Sequence, residues 1–395
     1  MRHWQPLLGL ALLISLLPGC STNAAPQPVQ AKAASAATAQ QDGNLALLAG
    51  KLRNANRAAV NIVQLGDSHT AADLFSGELR RLLQARYGDG GIGLVPATSV
   101  PGIRHDRVII SNDARQWSLV SARNQQSSQF PLGGYLSSPQ VANPRVTLQA
   151  RDADVQRYRV SALFQASRNS TLVANGNQRR MLAASKGQWR FSPSFGNLGL
   201  PLQMSLEGAQ GVALGGWYIL GQKNAGVTLS TLGINGARQE VVDKWQPGWQ
   251  DTLKALRPDL VILAYGTNEA FDDTLDLTRY QTQLDATLTR LRQDNPRMAI
   301  LLVGPPDSIK HRQASGCAAR QPQPLAAVLG IQRQMAQRHK ALFWDWQGYM
   351  GGPCSIAAWQ ADGLARGDLV HLTAQGYRKS AAGLYAFLQG PLGLR

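Results

Sequence analysis

Five short apolar runs constrain this chain more than any other feature: Val60 to Leu65, Val227 to Leu232, Leu260 to Tyr265, Met298 to Val303 and Ala341 to Asp345. Each reads as a strand of one sheet. Between the later four lie Asp251 to Leu256, Leu277 to Leu291 and Leu325 to Arg338. Their apolar residues recur at spacings of three and four, the pattern of helices packing one face on a sheet. Strand and helix therefore alternate, which implies parallel pairing. After the first strand, Leu74, Phe75, Leu79, Leu82 and Leu83 form another helical stripe, stopped by Gly88-Asp89-Gly90-Gly91, and Gly376 to Leu388 predicts a closing helix.

The first and second runs stand about 160 residues apart, far more than one crossover helix needs. From Arg107 to Tyr218 the texture changes to alternating segments such as Trp117-Ser118-Leu119-Val120, Tyr158 to Phe164 and Gln188-Trp189-Arg190-Phe191, separated by Asn, Gly, Ser and Pro. That texture predicts an inserted antiparallel sandwich. The expected organisation is an α/β domain over 43–96 and 222–395, interrupted by an all-β domain over 97–221. Trp117, Trp189, Phe191, Trp217 and Tyr218 in the insert suit either sugar stacking or a core, and the core is the commoner use.

The N-terminus reads as an address. Arg2 precedes an apolar run from Leu7 to Leu17, and Leu16-Leu17-Pro18-Gly19-Cys20 follows. This is the pattern of a secretory signal (1–19) with a lipoprotein cleavage site, leaving Cys20 as a lipidated N-terminus. The run is too short for a permanent span. Residues 20–42, rich in Ala, Gln and Ser, read as a flexible tether. The implied location is outside the cytoplasm, with a lipid anchor to a membrane. Two further cysteines, Cys317 and Cys354, are expected to form a disulfide in an exported protein. No Cys/His cluster suggests a metal. Forty Lys and Arg against 24 Asp and Glu leave +16 in a chain only 16% charged. Such a surface suits an acidic polymer: anionic lipid, nucleic acid or carboxylate-rich cell wall.

The chemistry-bearing residues fall at predicted strand ends. Asn61 to Leu65 runs into Gly66-Asp67-Ser68-His69 and then a helix, so Ser68 sits at the carboxyl end of a strand, where open α/β sheets place their sites. A serine nucleophile needs a histidine base oriented by a carboxylate. His371 has Asp368 three residues before it, which puts both side chains on one side of a turn. Asn268, in Gly266-Thr267-Asn268-Glu269, brings an amide donor to the same edge, and Gly236 offers an unobstructed backbone amide; with the amide of Ser68 these make an oxyanion hole. Each also has a structural use, as cap or turn. Arg238, Arg366 and His105 carry no pattern that lifts them above solvated residues.

Ser68 in Gly66-Asp67-Ser68, Gly236, Asn268 and the Asp368/His371 pair resemble the four blocks of the SGNH (GDSL-like) hydrolases, over residues 55–95 and 225–390. The resemblance implies a flavodoxin-like three-layer α/β/α fold and acyl ester hydrolysis without metal or organic cofactor. GDSH in place of GDSL, the β insert, Gly266-Thr267-Asn268-Glu269-Ala270 and Gly367-Asp368-Leu369-Val370-His371-Leu372-Thr373 resemble the peptidoglycan O-acetylesterase subgroup, whose insert is carbohydrate-binding-module-like. That subgroup implies Ser68 as nucleophile, His371 as base then acid, Asp368 as its orienter, O-acetylated peptidoglycan as partner rather than nucleic acid, and a periplasmic place with the lipid anchor in the outer membrane; His69, where the wider family commonly has Leu, departs from the pattern and reads as a structural neighbour rather than a second base. Two rivals stand beside it: an esterase or lipase for another acylated envelope polysaccharide or lipid, and a non-catalytic wall-binding lipoprotein.

Overall fold

Successive residues of a strand point to opposite faces, and the apolar runs are apolar throughout because both of their faces are covered. The computed structural model describes residues 42–127 and 129–394. Its parallel sheet consists of β1 (Ala59–Gly66), β2 (Gly226–Gly233), β3 (Leu260–Ala264), β4 (Ala299–Val303) and β5 (Leu342–Trp344). They lie in the order β2-β1-β3-β4-β5 with every neighbour parallel, the flavodoxin-like order. Val60, Ile62, Leu260, Ile262 and Leu301 join one core with helices Gly43–Arg53, Phe75–Tyr87 and Ala374–Gln389. Val63, Leu65, Val261, Leu263 and Ile300 join a second core with helices Leu277–Asp294 and Leu325–Arg338.

Between β1 and β2 the chain builds two antiparallel sheets, one of seven strands centred on Tyr158–Ala166 and Val212–Gly221, one of five centred on Leu202–Glu207. Val146, Leu148, Val160, Phe164, Met204, Leu214 and Trp217 fill the space between them. Leu94, Phe130, Leu132 and Tyr218 pack instead against the second α/β core, so the insert leans on the sheet it interrupts. Its strands begin at Gly91–Val95, inside the segment expected to belong to the α/β part, because Gly91–Val95 pairs with Val212–Gly221. Trp117, Trp189, Trp217 and Tyr218 are buried. The three indole N–H groups donate to the carbonyls of Arg145, Gln129 and Ala97. These rings serve packing, as burial of such large apolar surface favours.

A disulfide joins Cys317 to Cys354, with Cα atoms 5.8 Å apart. The expected signal segment, Cys20 and the tether as far as residue 41 lie outside the described residues. Asp42, the last residue assigned to that tether, instead caps the helix Gly43–Arg53 and pairs with Arg292 at 2.6 Å. Among the described residues no helix is long and apolar enough to cross a membrane.

Candidate active site

Strand register explains why distant residues meet. Gly66 at the end of β1 pairs with Gly233 at the end of β2 and with Ala264 at the end of β3. Ser68, Gly236 and Asn268 each follow one of these residues within a few positions, so all three emerge at one edge of the sheet, by the switch point between β1 and β3. Gly66 is required by close approach: a Cβ there would stand 2.1 Å from Thr70 Oγ1 and 2.7 Å from the Ala264 carbonyl oxygen.

The other half of the site arrives from the far end of the chain. Asp368 turns its own loop, its Oδ1 accepting the amides of Val370 and His371 at 3.0 and 2.9 Å. Its Oδ2 meets His371 Nδ1 at 2.8 Å, and His371 Nε2 meets Ser68 Oγ at 3.0 Å. Burial raises the Asp368 carboxyl, but the His371 and Val370 amides and the imidazole outweigh it, and the group sits below its ordinary value. A carboxylate on Nδ1 fixes the tautomer: Nδ1 donates, leaving Nε2 to accept from the serine hydroxyl. The loop is anchored by Ile309, whose N–H donates to Leu369 O at 2.9 Å, and by Arg366, whose N–H donates to His371 O at 2.8 Å.

Donors gather at the same sheet edge as the hydroxyl. Ser68 opens the short helix Ser68–Ala71, and the amides of Ser68 and Gly236 have no protein acceptor among the described residues. Asn268 donates one amide hydrogen to Ala237 O at 2.8 Å, which binds its loop to the Gly236 turn and leaves the second hydrogen free. Gly236 has φ +69°, a left-handed conformation that favours glycine. Ser68, Gly236, Asn268 and His371 are all half-buried, and thus open to a substrate from one side.

Sequence reasoning passed over two carboxyl groups behind these residues. Asp67, which caps the helix by accepting the His69 amide at 3.0 Å, is 1% exposed; Glu269 is 2% exposed. Burial pushes each carboxyl up to about 7, and the charge of Glu269 adds to the effect on Asp67. Glu269 Oε1 accepts the Gln239 amide at 2.7 Å, while Oε2 has no partner among the described residues. The signal was adjacency: the two acids flank the predicted nucleophile and amide donor in sequence. His69 lies behind the base, its ring 5.2 Å from that of His371 and its Nδ1 2.9 Å from the Tyr377 hydroxyl. Burial, reinforced by His371, pushes His69 down to about 3, so it stands neutral at pH 7. His105, expected among solvated residues, is half-buried with Nδ1 enclosed and without a partner among the described residues, and burial lowers it to about 4. It faces the buried Asp73–Arg80 pair that ties the segment after the nucleophile to β2 through Thr231 and Leu229. Arg238 is spoken for by Asp272 at 2.9 Å, and Arg366 is exposed. Among the described residues no group of three or more His, Cys, Asp or Glu is placed to hold a metal.

The family model for the N-terminal part of peptidoglycan O-acetylesterases matches residues 90–203, and that of the GDSL-like lipase/acylhydrolase family matches 207–379. A solved structure of a peptidoglycan O-acetylesterase is 32% identical, with a TM-score of 0.80, covering 91% of this chain and 99% of that one. An acetyl xylan esterase structure is 18% identical over 42% of this chain and 82% of that one, with a TM-score of 0.33. A carbohydrate esterase family 2 enzyme with a carbohydrate-binding domain, from Corynascus thermopiles, is 11% identical over 70% of this chain and 100% of that one, also at 0.33. No curated protein matches the sequence.

Proposed function

Because this chain belongs to the peptidoglycan O-acetylesterase family within the GDSL-like acylhydrolases, we propose that it removes acetyl groups from the C6 oxygen of N-acetylmuramic acid in peptidoglycan. The observation that carries the reading is the line of contacts from Ser68 Oγ to His371 Nε2 at 3.0 Å and from His371 Nδ1 to Asp368 at 2.8 Å. The Ser68 and Gly236 amides and one Asn268 amide hydrogen, without acceptors among the described residues, lie at the same sheet edge.

The chemistry follows from that geometry. His371 Nε2 takes the Ser68 proton as Oγ attacks the acetyl carbonyl, and the new oxyanion lies against the Ser68 and Gly236 amides and the free Asn268 hydrogen. Collapse breaks the bond to the sugar oxygen, which takes the proton from His371. Water, deprotonated by the same nitrogen, attacks the acetyl-serine; acetate leaves and the proton returns to Oγ. Asp368 keeps the ring in the required tautomer and stabilises its protonated form.

Acetate release from O-acetylated sacculi, with chemically deacetylated sacculi as control, tests the proposal. Wild type is expected to release acetate and Ser68→Ala to lose nearly all activity; a Ser68→Ala protein retaining most of the rate overturns the nucleophile. Strong preference for octanoyl over acetyl model esters counts against the substrate. Robust binding of sacculi with no hydrolysis of any ester supports a purely binding role. The N-terminal pattern supports export to the periplasm and outer-membrane anchoring at Cys20, which labelling with radioactive fatty acid tests against Cys20→Ser.

A further inference from the structure

Beside the oxyanion glycine stands a cation that the mechanism does not use. A Cβ built on Gly236 would lie 2.7 Å from Arg123 Cζ and 2.8 Å from its Nε and Nη2. The guanidinium therefore packs against the Gly236 Cα at the mouth of the site. Arg123 is exposed, and among the described residues it has no acidic partner; Arg238, the neighbouring cation on the Gly236 turn, is already paired with Asp272.

The backbone that carries Arg123 is fixed by its neighbours. Ala122 is 0% exposed; its N–H donates to Gly134 O at 2.9 Å and its carbonyl accepts Lys244 Nζ at 2.7 Å. Asn124 N–H closes the turn on Ser121 O at 3.1 Å. Lys244 ends the 3-10 helix Gln239–Lys244 that follows Gly236, so the insert and the Gly236 turn hold each other in register. An unpaired guanidinium, held from below and open above, presents a planar fork matched to a carboxylate.

Resting on the function proposed above, we propose that Arg123 determines specificity by binding a carboxylate on the substrate, borne by the acetylated sugar or its peptide, next to the scissile ester. Gly236 then serves twice: its positive φ aims an amide at the oxyanion, and its missing side chain gives the guanidinium its seat. Acidic acetyl esters are thereby favoured over neutral ones.

Kinetics of wild type, Arg123→Lys and Arg123→Ala on an O-acetylated muropeptide and on neutral 4-nitrophenyl acetate test this. The ratio of kcat/KM for the acidic ester over the neutral one is expected to fall about tenfold in Arg123→Ala, mostly through KM, as loss of a charged hydrogen bond implies. Arg123→Lys should fall between, and added salt should lower the wild-type ratio. An unchanged ratio overturns the proposal. Equal loss on both esters also overturns it, assigning the guanidinium to the oxyanion hole or to folding, which thermal melts resolve. Should wild type leave O-acetylated muropeptides intact, the proposed substrate fails, and a matched pair of small acetate esters with and without a carboxylate still reads the ratio for Arg123.

Discussion

Asp368→Asn separates tautomer control from mere occupancy of the site. The asparagine is nearly isosteric, and its Oδ1 can still accept the Val370 and His371 amides that turn the loop. At the other end, an NH2 group would replace the oxygen 2.8 Å from His371 Nδ1. Donor then faces donor unless the ring moves its proton to Nε2, and that nitrogen can no longer accept from Ser68. Loss of the correct tautomer in a triad lowers kcat by up to about 10⁴, equivalent to about 5.5 kcal/mol of barrier. The Asp368 side chain is 44% exposed, so water softens the conflict and a loss of about 10³ to 10⁴ is expected. Asp368→Ala removes all three hydrogen bonds but forbids neither tautomer, because water fills the space. It is therefore expected to lose less kcat than Asp368→Asn while melting at a lower temperature. The assay is acetate release at saturating substrate, with ¹⁵N spectra of the His371 ring reporting the protonated nitrogen. An Asp368→Asn enzyme keeping more than about a tenth of wild-type kcat, or an alanine variant slower than the asparagine one, refutes the tautomer argument.

Three further outcomes are expected. Gly236→Ala strains a left-handed backbone by about 1–2 kcal/mol and pushes on the Arg123 guanidinium; kcat should fall while the fold persists, and full kcat would remove the Gly236 amide from the oxyanion hole. A carboxyl raised to about 7 by burial binds its proton more tightly folded than unfolded, so the stability due to Glu269 is full below pH 4.5 and lost as pH rises through about 7. Relative to wild type, Glu269→Gln should shift the change in melting temperature between pH 5 and 8 in the rising direction; Asp67 adds a fall of the same sign as Glu269, while His69 and His105, pushed down by burial, add a rise that ends near pH 6.5, and an unaltered slope would show that Glu269 does not titrate there. Opening the disulfide, whose cysteines stand 37 residues apart, should lower stability by about 4 kcal/mol on the chain-entropy estimate. Urea midpoints of Cys317→Ser/Cys354→Ser against wild type measure it, and equal midpoints sink the estimate.

Much of the α/β domain was legible because its signals are local. Both faces of β1, β3 and β4 are covered, so they read as unbroken apolar runs, and helices Leu277–Asp294 and Leu325–Arg338 keep one apolar stripe each. The glycines and polar residues that end those strands marked where a site belongs. Boundaries were less legible where pairing is non-local: Gly91–Val95 continues from a helix of the α/β part yet pairs with a strand more than a hundred residues later.

Residue types, their order and the strand ends they follow were thus determined by the sequence itself: Ser68, Gly236, Asn268, Asp368 and His371 stand where chain-local patterns put them. Tertiary structure alone decided what surrounds each one. Burial of Asp67, Glu269, His69 and His105, and the seat of Arg123 against Gly236, depend on segments that approach from elsewhere in the chain, and solvation and close contact are properties of that approach. No window of sequence carries them, because the water a group loses is displaced by residues far from it in the chain.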